Sequence, residues 1–130
     1  AALKEQQQNL EKENKLIENE RKIFESKIKE EFDVQIVGEN VNRLCHISNI
    51  QFNNINSETL MVALDLNGMG VSRGSACASG AQKPSHVLKA MNIEDEVINN
   101  HLRFSFGWNI EIGDGEKSAE IVKNTIKEII

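Results

Sequence analysis

The feature that most constrains this chain is its first 32 residues, which contain neither glycine nor proline. Seven Lys or Arg residues and eight Glu residues occur in this stretch. Its apolar residues repeat at helical spacing, at Leu10, Leu16, Ile17, Ile23, Phe24, Ile28 and Phe32. Glu–Lys pairs four residues apart favour the same helix, at Glu11–Lys15, Glu18–Lys22 and Glu25–Lys29. The pattern predicts one long helix over residues 1–32. It is either a surface or coiled-coil helix, or a connector that packs against a second domain.

The remaining residues, 33–130, have the pattern of one small α/β unit. Alternating apolar residues predict strands, over residues 33–37, 46–52 and 102–106, and a further brief strand is predicted to begin at Val71. Apolar spacing and a proline predict helices, over residues 57–66, 93–100 and 116–130 and from Pro84 onwards. Ser57 is the expected N-cap of the first of these helices. The apolar face of the last helix is expected at Ala119, Ile121, Val122, Ile126 and Ile129. This order predicts an α/β fold with a short, mostly antiparallel sheet and one helical layer.

Charge and cysteine usage exclude several classes of protein. The net charge is −5, whereas phosphate binding requires a basic surface, so no nucleic-acid partner is expected. Uncharged apolar stretches such as residues 60–63 are far too short to span a membrane. Cys45 and Cys77 are the only cysteines and lie far apart, which excludes a disulfide scaffold and a zinc site. A reducing, cytoplasmic location is the natural expectation.

The segment 72–83, SRGSACASGAQK, carries the candidate nucleophile Cys77. Its residues are small or polar, so the segment offers no bulky apolar partner against which the thiol could be buried. Arg73 and Lys83 are its only charged residues, and positive charge favours the thiolate. We therefore expect a loop with an accessible Cys77 that acts as a nucleophile or sulfur carrier. The alternative is an incidental surface cysteine in a flexible loop.

The string GVSRGSACASGAQKPSHVLKAM, together with LRFSFGWN, closely resembles the C-terminal part of the pyridoxal-phosphate-dependent cysteine desulfurases. These enzymes are a branch of the class V aminotransferase superfamily, and the loop resembles that of their long-loop group. The resemblance is clear over residues 71–109 and fainter over residues 33–126. It implies the small C-terminal domain of a fold-type I pyridoxal-phosphate enzyme, in which residues 1–32 connect to that domain and residues 33–130 form it.

The resemblance also implies a reaction. L-cysteine reacts with pyridoxal phosphate, whose ring acts as an electron sink, and Cys77 takes the substrate sulfur as a persulfide while L-alanine is released. The persulfide then passes to an acceptor or scaffold protein for iron–sulfur cluster assembly or thiolation. Family members are homodimers. A nucleophile that reaches both the substrate and an outside acceptor needs a long, mobile segment.

Arg103 is the second site residue that the resemblance implies, because the matching arginine of the family binds the α-carboxylate of the substrate. A planar guanidinium suits a carboxylate through two parallel hydrogen bonds. Strand alternation places Arg103 and Ser105 on one face, opposite Leu102 and Phe104. The alternative is a surface arginine on an edge strand. Residues expected to support the cysteine loop are Arg73, Gly74, Ser75 and Ser79.

None of the three histidines is expected to be catalytic, and two residues differ from the family pattern. His86 is expected to pack or cap a helix, and His101 to be a solvated helix end. His46 adjoins Cys45, but neighbours in a strand point to opposite faces, which disfavours a catalytic pair. Cys45 stands where the family has proline, and Arg73 where it commonly has serine. The cysteine is tolerable for the fold, and the arginine is expected only to raise the local positive potential.

The family's cofactor lysine and its aspartate belong to a large upstream domain that this sequence does not include. We therefore expect the chain alone to bind no pyridoxal phosphate, to contain no metal site and to be inactive. Two alternatives remain open at this point. One is a related class V aminotransferase or selenocysteine lyase, and the other is a stand-alone protein-interaction module whose long helix is a docking arm.

Overall fold

The structure, a computed structural model, describes residues 2–39, 45–73, 101–107 and 109–130. The helices in these ranges are α1 (Ala2–Glu31), α2 (Ser57–Leu66) and α3 (Asp114–Ile129). The strands are β1 (Val34–Ile36), β2 (Ile47–Phe52), β3 (Ser72–Arg73) and β4 (His101–Ser105). These bounds confirm the predicted long first helix, the short middle helix, the last helix and the strands near residues 33–37, 46–52 and 102–106. The helices predicted from Pro84 and over 93–100 lie outside the described residues.

The four strands form one sheet in the order β1-β2-β4-β3, and each neighbouring pair is antiparallel. The prediction of a short antiparallel sheet is therefore confirmed. The brief strand predicted from Val71 is present as β3, but the predicted loop begins too early, because Ser72 and Arg73 pair with Arg103 and Leu102 of β4. Residues 74–83 of that loop lie outside the described ranges.

One face of the sheet forms the hydrophobic core with the three described helices. Register places Ile36 of β1 opposite Ile50 of β2, and Ile50 opposite Leu102 of β4. Phe24 of α1 is fully buried on this side, with ring centroids 5.0 Å from Phe104 and 5.4 Å from Phe106. The buried core also includes residues from all three helices, among them Ile17, Ile28, Leu60, Leu64, Val122 and Ile126. Burying these side chains supplies the main driving force for the fold.

Only the second half of α1 belongs to this core. Residues 3–13 are exposed throughout, and Leu10, predicted on the apolar face, is 47% exposed. The predicted ion pair of Glu18 with Lys22 is present at 3.4 Å. Lys29 contacts Glu39, and Glu25 lies 3.6 Å from the guanidinium of Arg21. No helix in the described ranges is both long and apolar enough to cross a membrane.

A buried acidic residue joins α1 to α3. Glu20 is 1% exposed, and one of its carboxylate oxygens accepts hydrogen bonds of 2.9 Å from the backbone N–H groups of Gly113 and Gly115. These N–H groups lie at the start of α3, where helical geometry leaves donors without partners inside the helix. Position 115 requires glycine because the backbone of α1 lies so close that an added Cβ would be 2.2 Å from the Glu20 carbonyl oxygen. The helical periodicity of α1 gave no sign of this contact.

Two predictions about the helices are wrong in detail. Asn56, not Ser57, caps α2, because its side-chain oxygen accepts a 2.9 Å hydrogen bond from the Thr59 N–H. Ile121 is 37% exposed, while Thr125 occupies the buried face of α3. The Thr125 hydroxyl donates to the Ile121 carbonyl at 2.7 Å, so a polar residue is accommodated without a lost hydrogen bond.

Candidate functional site

Arg103 lies in the middle of β4, between two polar neighbours on adjacent strands. Strand alternation is as predicted: Leu102 and Phe104 are buried in the core, while Arg103 is half-buried on the other face. Register places Asn49 of β2 directly opposite Arg103 on one side, and Ser72 of β3 directly opposite on the other. Directly opposed residues share a face, so these three side chains form a row across the sheet.

This second side of the sheet, here called the polar face, consists mainly of hydrogen-bonding residues. They are Gln35, Asn49, Gln51, Ser72, His101, Arg103 and Ser105, with Ile47 at one end. Gln51 is 8% exposed and His101 is 1% exposed. The expectation that His101 is a solvated helix end is therefore wrong, because it is the first residue of β4 and is fully buried.

Arg73 lies on the opposite side of the sheet from Arg103. It pairs in register with Leu102, a core residue, and its guanidinium lies 4.0 Å from a carboxylate oxygen of Glu58 in α2. The segment 72–83 contains no acidic residue, so no acid was expected near Arg73. The structure corrects this expectation, because Glu58 of α2 lies beside it. The two arginines therefore cannot act together on one ligand from the same face of the sheet.

The proposed nucleophile, Cys77, and the residues Gly74, Ser75 and Ser79 lie outside the described residues, so their roles stay predictions. Cys45 is described, half-buried and not in a disulfide. Its thiol donates to the Asn14 side-chain oxygen at 3.9 Å, a weak contact that ties it to α1. The neighbouring His46 is exposed, and both residues precede β2, which begins at Ile47.

A small cavity of about 120 Å³ lies on the other side of the molecule, between the end of α1 and α3. Its charged residues are partly paired, since Lys123 Nζ lies 3.1 Å from Glu31 Oε1. This hydrogen bond, together with the negative charge of Glu31, raises the pKa of Lys123 above its ordinary value of 10.5. The cavity lies in the helical layer, on the opposite side of the sheet from Arg103, and we assign it no site.

The described residues do not fit pyridoxal phosphate. The N–H groups of Gly113 and Gly115 at the start of α3 are occupied by Glu20, and the start of α2 is capped by Asn56, so neither helix start is open to a phosphate. None of the four described strands contains a lysine that could form a Schiff base on the polar face. Within the same ranges, no cluster of three or more His, Cys, Asp or Glu side chains could hold a metal ion.

Comparison with known proteins decides the family. Residues 1–114 match the family model described as aminotransferase class V. The chain belongs to the aminotransferase class V family. Among class V relatives, cysteine desulfurase IscS of Dictyoglomus turgidum is 34% identical over 97 residues, which are 75% of this chain and 25% of that protein. Cysteine desulfurase IscS of Shewanella denitrificans is 31% identical over 122 residues, which are 94% of this chain and 30% of that protein.

Solved structures of class V relatives share the fold. A NifS-like protein from Rickettsia africae superposes with a TM-score of 0.69 at 25% identity, covering 88% of this chain and 29% of that chain. A second NifS-like protein has a TM-score of 0.73 at 19% identity. The predicted family and fold class are therefore confirmed. The chain spans 25 to 30% of the length of the two curated relatives described above.

The sequence makes Arg103 a candidate site residue but does not indicate its neighbours on the polar face. Asn49 and Gln51 were noted only as residues of a strand, and His101 was assigned to a helix. Their place beside Arg103 depends on the pairing of β2 with β4, which are separated by about 50 residues of sequence. The one available signal was the unusual density of polar residues in a strand that also contains the buried Ile50 and Phe52.

Proposed function

We propose that this chain is the part of a cysteine desulfurase that binds the carboxylate of L-cysteine through Arg103 and accepts the sulfur atom on Cys77. Relatives named cysteine desulfurase support the activity. The observation that carries the proposal is the pairing of β3 with β4. Ser72 lies directly opposite Arg103, and the chain continues from Arg73 towards Cys77.

Covalent geometry limits how far Cys77 can lie from this point. It follows Arg73 by four residues, and four residues span at most about 14 Å when fully extended. The carboxylate and the sulfur of one L-cysteine molecule are only a few ångströms apart. A substrate held by Arg103 is therefore within reach of a nucleophile attached to the end of β3.

The position of Arg103 suits a carboxylate ligand. It is half-buried, so water competes less strongly for its hydrogen bonds than at an exposed position. Its neighbours Asn49 and Ser72 are uncharged and carry no competing carboxylate. The guanidinium can present two parallel N–H groups to the substrate, which a lysine cannot do.

The remaining steps of the proposal involve groups beyond this chain. Pyridoxal phosphate, bound by another part of the complete enzyme, supplies the electron sink for the cleavage of the carbon–sulfur bond. Cys77 holds the sulfur as a persulfide and passes it to an acceptor or scaffold protein, for iron–sulfur cluster assembly or thiolation. The enzyme acts as a cytoplasmic homodimer, and the chain by itself releases no alanine from L-cysteine.

The complete enzyme with Cys77→Ala tests the proposal, and Cys45→Ala is its matched control. We expect Cys77→Ala to abolish sulfur transfer while the absorbance of bound cofactor is unchanged, and Cys45→Ala to stay active. Mass spectrometry of the wild type after one turnover should show a gain of one sulfur on the peptide that contains Cys77. Full desulfurase activity in Cys77→Ala would instead indicate a related lyase that merely retains the cysteine.

Arg103→Lys tests the second residue. It keeps the positive charge but removes the paired N–H groups, so we expect KM for L-cysteine to rise by about tenfold or more, with a smaller change in kcat. A KM equal to that of the wild type would remove Arg103 from substrate binding without affecting the role of Cys77.

A further inference from the structure

Gln51 of β2 is a buried polar residue on the polar face whose side-chain oxygen has no donor. Its side chain is 8% exposed, and among the described residues none donates a hydrogen bond to its Oε1 atom. Buried polar atoms in folded proteins are nearly always paired, because desolvation without a hydrogen bond costs free energy. An acceptor left without a partner here therefore requires an explanation.

Register places Gln51 diagonally next to Arg103. Gln51 is directly opposite His101 of β4, and Arg103 is two residues further along the same strand and on the same face. Such diagonal neighbours have Cα atoms about 7–8 Å apart, which long side chains can bridge. Both Gln and Arg are long, and the two side chains leave the sheet on the same side.

The chemistry of the two groups is complementary. The guanidinium of Arg103 has five N–H donors and no acceptor, and binding one carboxylate uses two of them. An amide oxygen can accept one of the remaining donors and thereby fix the plane of the guanidinium. Two other residues face Gln51: Gln35, which is exposed and can keep its amide in water, and His101. A hydrogen bond from His101 would not depend on Arg103, so the comparison with and without Arg103 described below distinguishes these two donors.

We propose that Gln51 is a positioning residue for substrate binding, whose Oε1 atom accepts a hydrogen bond from Arg103 when Arg103 binds the carboxylate of L-cysteine. This inference rests on the proposed function, because it needs Arg103 as the carboxylate ligand. It explains why a glutamine, and not an apolar residue, occupies a buried strand position next to Ile50 and Phe52. Gln51 acts through Arg103 and does not touch the substrate.

The test is Gln51→Leu in the complete enzyme, which keeps the approximate shape of the side chain and removes the acceptor. We expect KM for L-cysteine to rise by about tenfold, with kcat changed by less than about threefold, since hydrogen bonds to charged groups are stronger than average. Gln35→Leu is the matched control, because it lies on the same face but on the edge strand β1. It should leave KM unchanged.

A second arm separates positioning from a structural role. In an Arg103→Ala background, Gln51→Leu should raise KM no further, because the residue it orients is absent. An unchanged KM in Gln51→Leu, or an equal rise with and without Arg103, overturns the inference. If Gln51→Leu does not fold, Gln51→Met gives the same comparison. Wild-type KM in Arg103→Ala alone would refute the proposed function instead, so the two failures are distinguishable.

Discussion

The contact between α1 and α3 at Gly115 gives a sharp prediction about stability. A Cβ atom at this position would lie 2.2 Å from the carbonyl oxygen of Glu20, 3.0 Å from its carbonyl carbon and 3.2 Å from its Cα. All three are backbone atoms, so no side-chain rotation relieves the overlap. An ordinary contact needs at least 3.4 Å, which means that Gly115→Ala must move the two helices apart by more than 1 Å.

Two costs add at this site. Overpacking of a close interface typically costs about 1–3 kcal/mol. Separating the helices also lengthens the 2.9 Å hydrogen bond from the Gly115 N–H to the buried Glu20 side chain, and a hydrogen bond to a charged group contributes about 1.5–3 kcal/mol. We therefore expect Gly115→Ala to lower the free energy of unfolding by about 3–5 kcal/mol, a large share of the stability of a typical domain.

Urea denaturation followed by circular dichroism measures this change. Gly70→Ala is the matched control, because its Cβ would meet none of the described residues within 4 Å and its φ is not in the left-handed region. That variant should be neutral or slightly stabilising, since alanine restricts the unfolded chain. If Gly115→Ala and Gly70→Ala unfold within about 0.5 kcal/mol of each other, the close approach of α1 to α3 is refuted.

Three further predictions concern contacts made by residues of α1. Glu20→Ala, which leaves two N–H groups at the start of α3 without their acceptor, should lower the free energy of unfolding by about 2–4 kcal/mol in urea, and Glu20→Gln by much less because it keeps an oxygen. Phe24→Ala should cost about 3–5 kcal/mol in the same assay, because its fully buried ring packs against Phe104. Glu31→Gln should lower the pKa of Lys123 measured by NMR. Since the pKa of Lys123 is raised above 10.5 in the folded chain, its stabilising contribution is present below 10.5 and is lost as the pH rises through the raised pKa.

Local patterns predicted the elements that depend on local chemistry. The absence of glycine and proline through residue 32 and the repeated apolar face were sufficient for α1, which ends at Glu31. Alternation in β4 correctly separated Leu102 and Phe104 from Arg103, because side-chain direction in a strand depends only on position. Asn56 and Ser57 are both good N-caps, so sequence could not decide between them, and the observed hydrogen bond from Thr59 does.

Pairing between distant segments could not be predicted in the same way. Glu20 belongs to a stretch of alternating acids and bases that is typical of an exposed helix face, yet it is buried against the start of α3, some 95 residues later. The neighbours of Arg103 on the polar face depend on the register of β2 with β4, which no local pattern specifies. Residues 74–100, which include Cys77, carry the strongest family motif and lie outside the described ranges.

The alternation of β4 makes the position of Arg103 a consequence of how Leu102 and Phe104 pack. Successive residues of a strand point in opposite directions. A slip of β4 by one residue would therefore exchange its core-facing residues with its polar-face residues and turn the Arg103 guanidinium towards Phe24. The packing of Phe24 against Phe104 and Phe106 therefore determines the orientation of Arg103, although Arg103 lies on the other face of the sheet. Substitutions that loosen those rings should change the orientation of Arg103 before they unfold the domain.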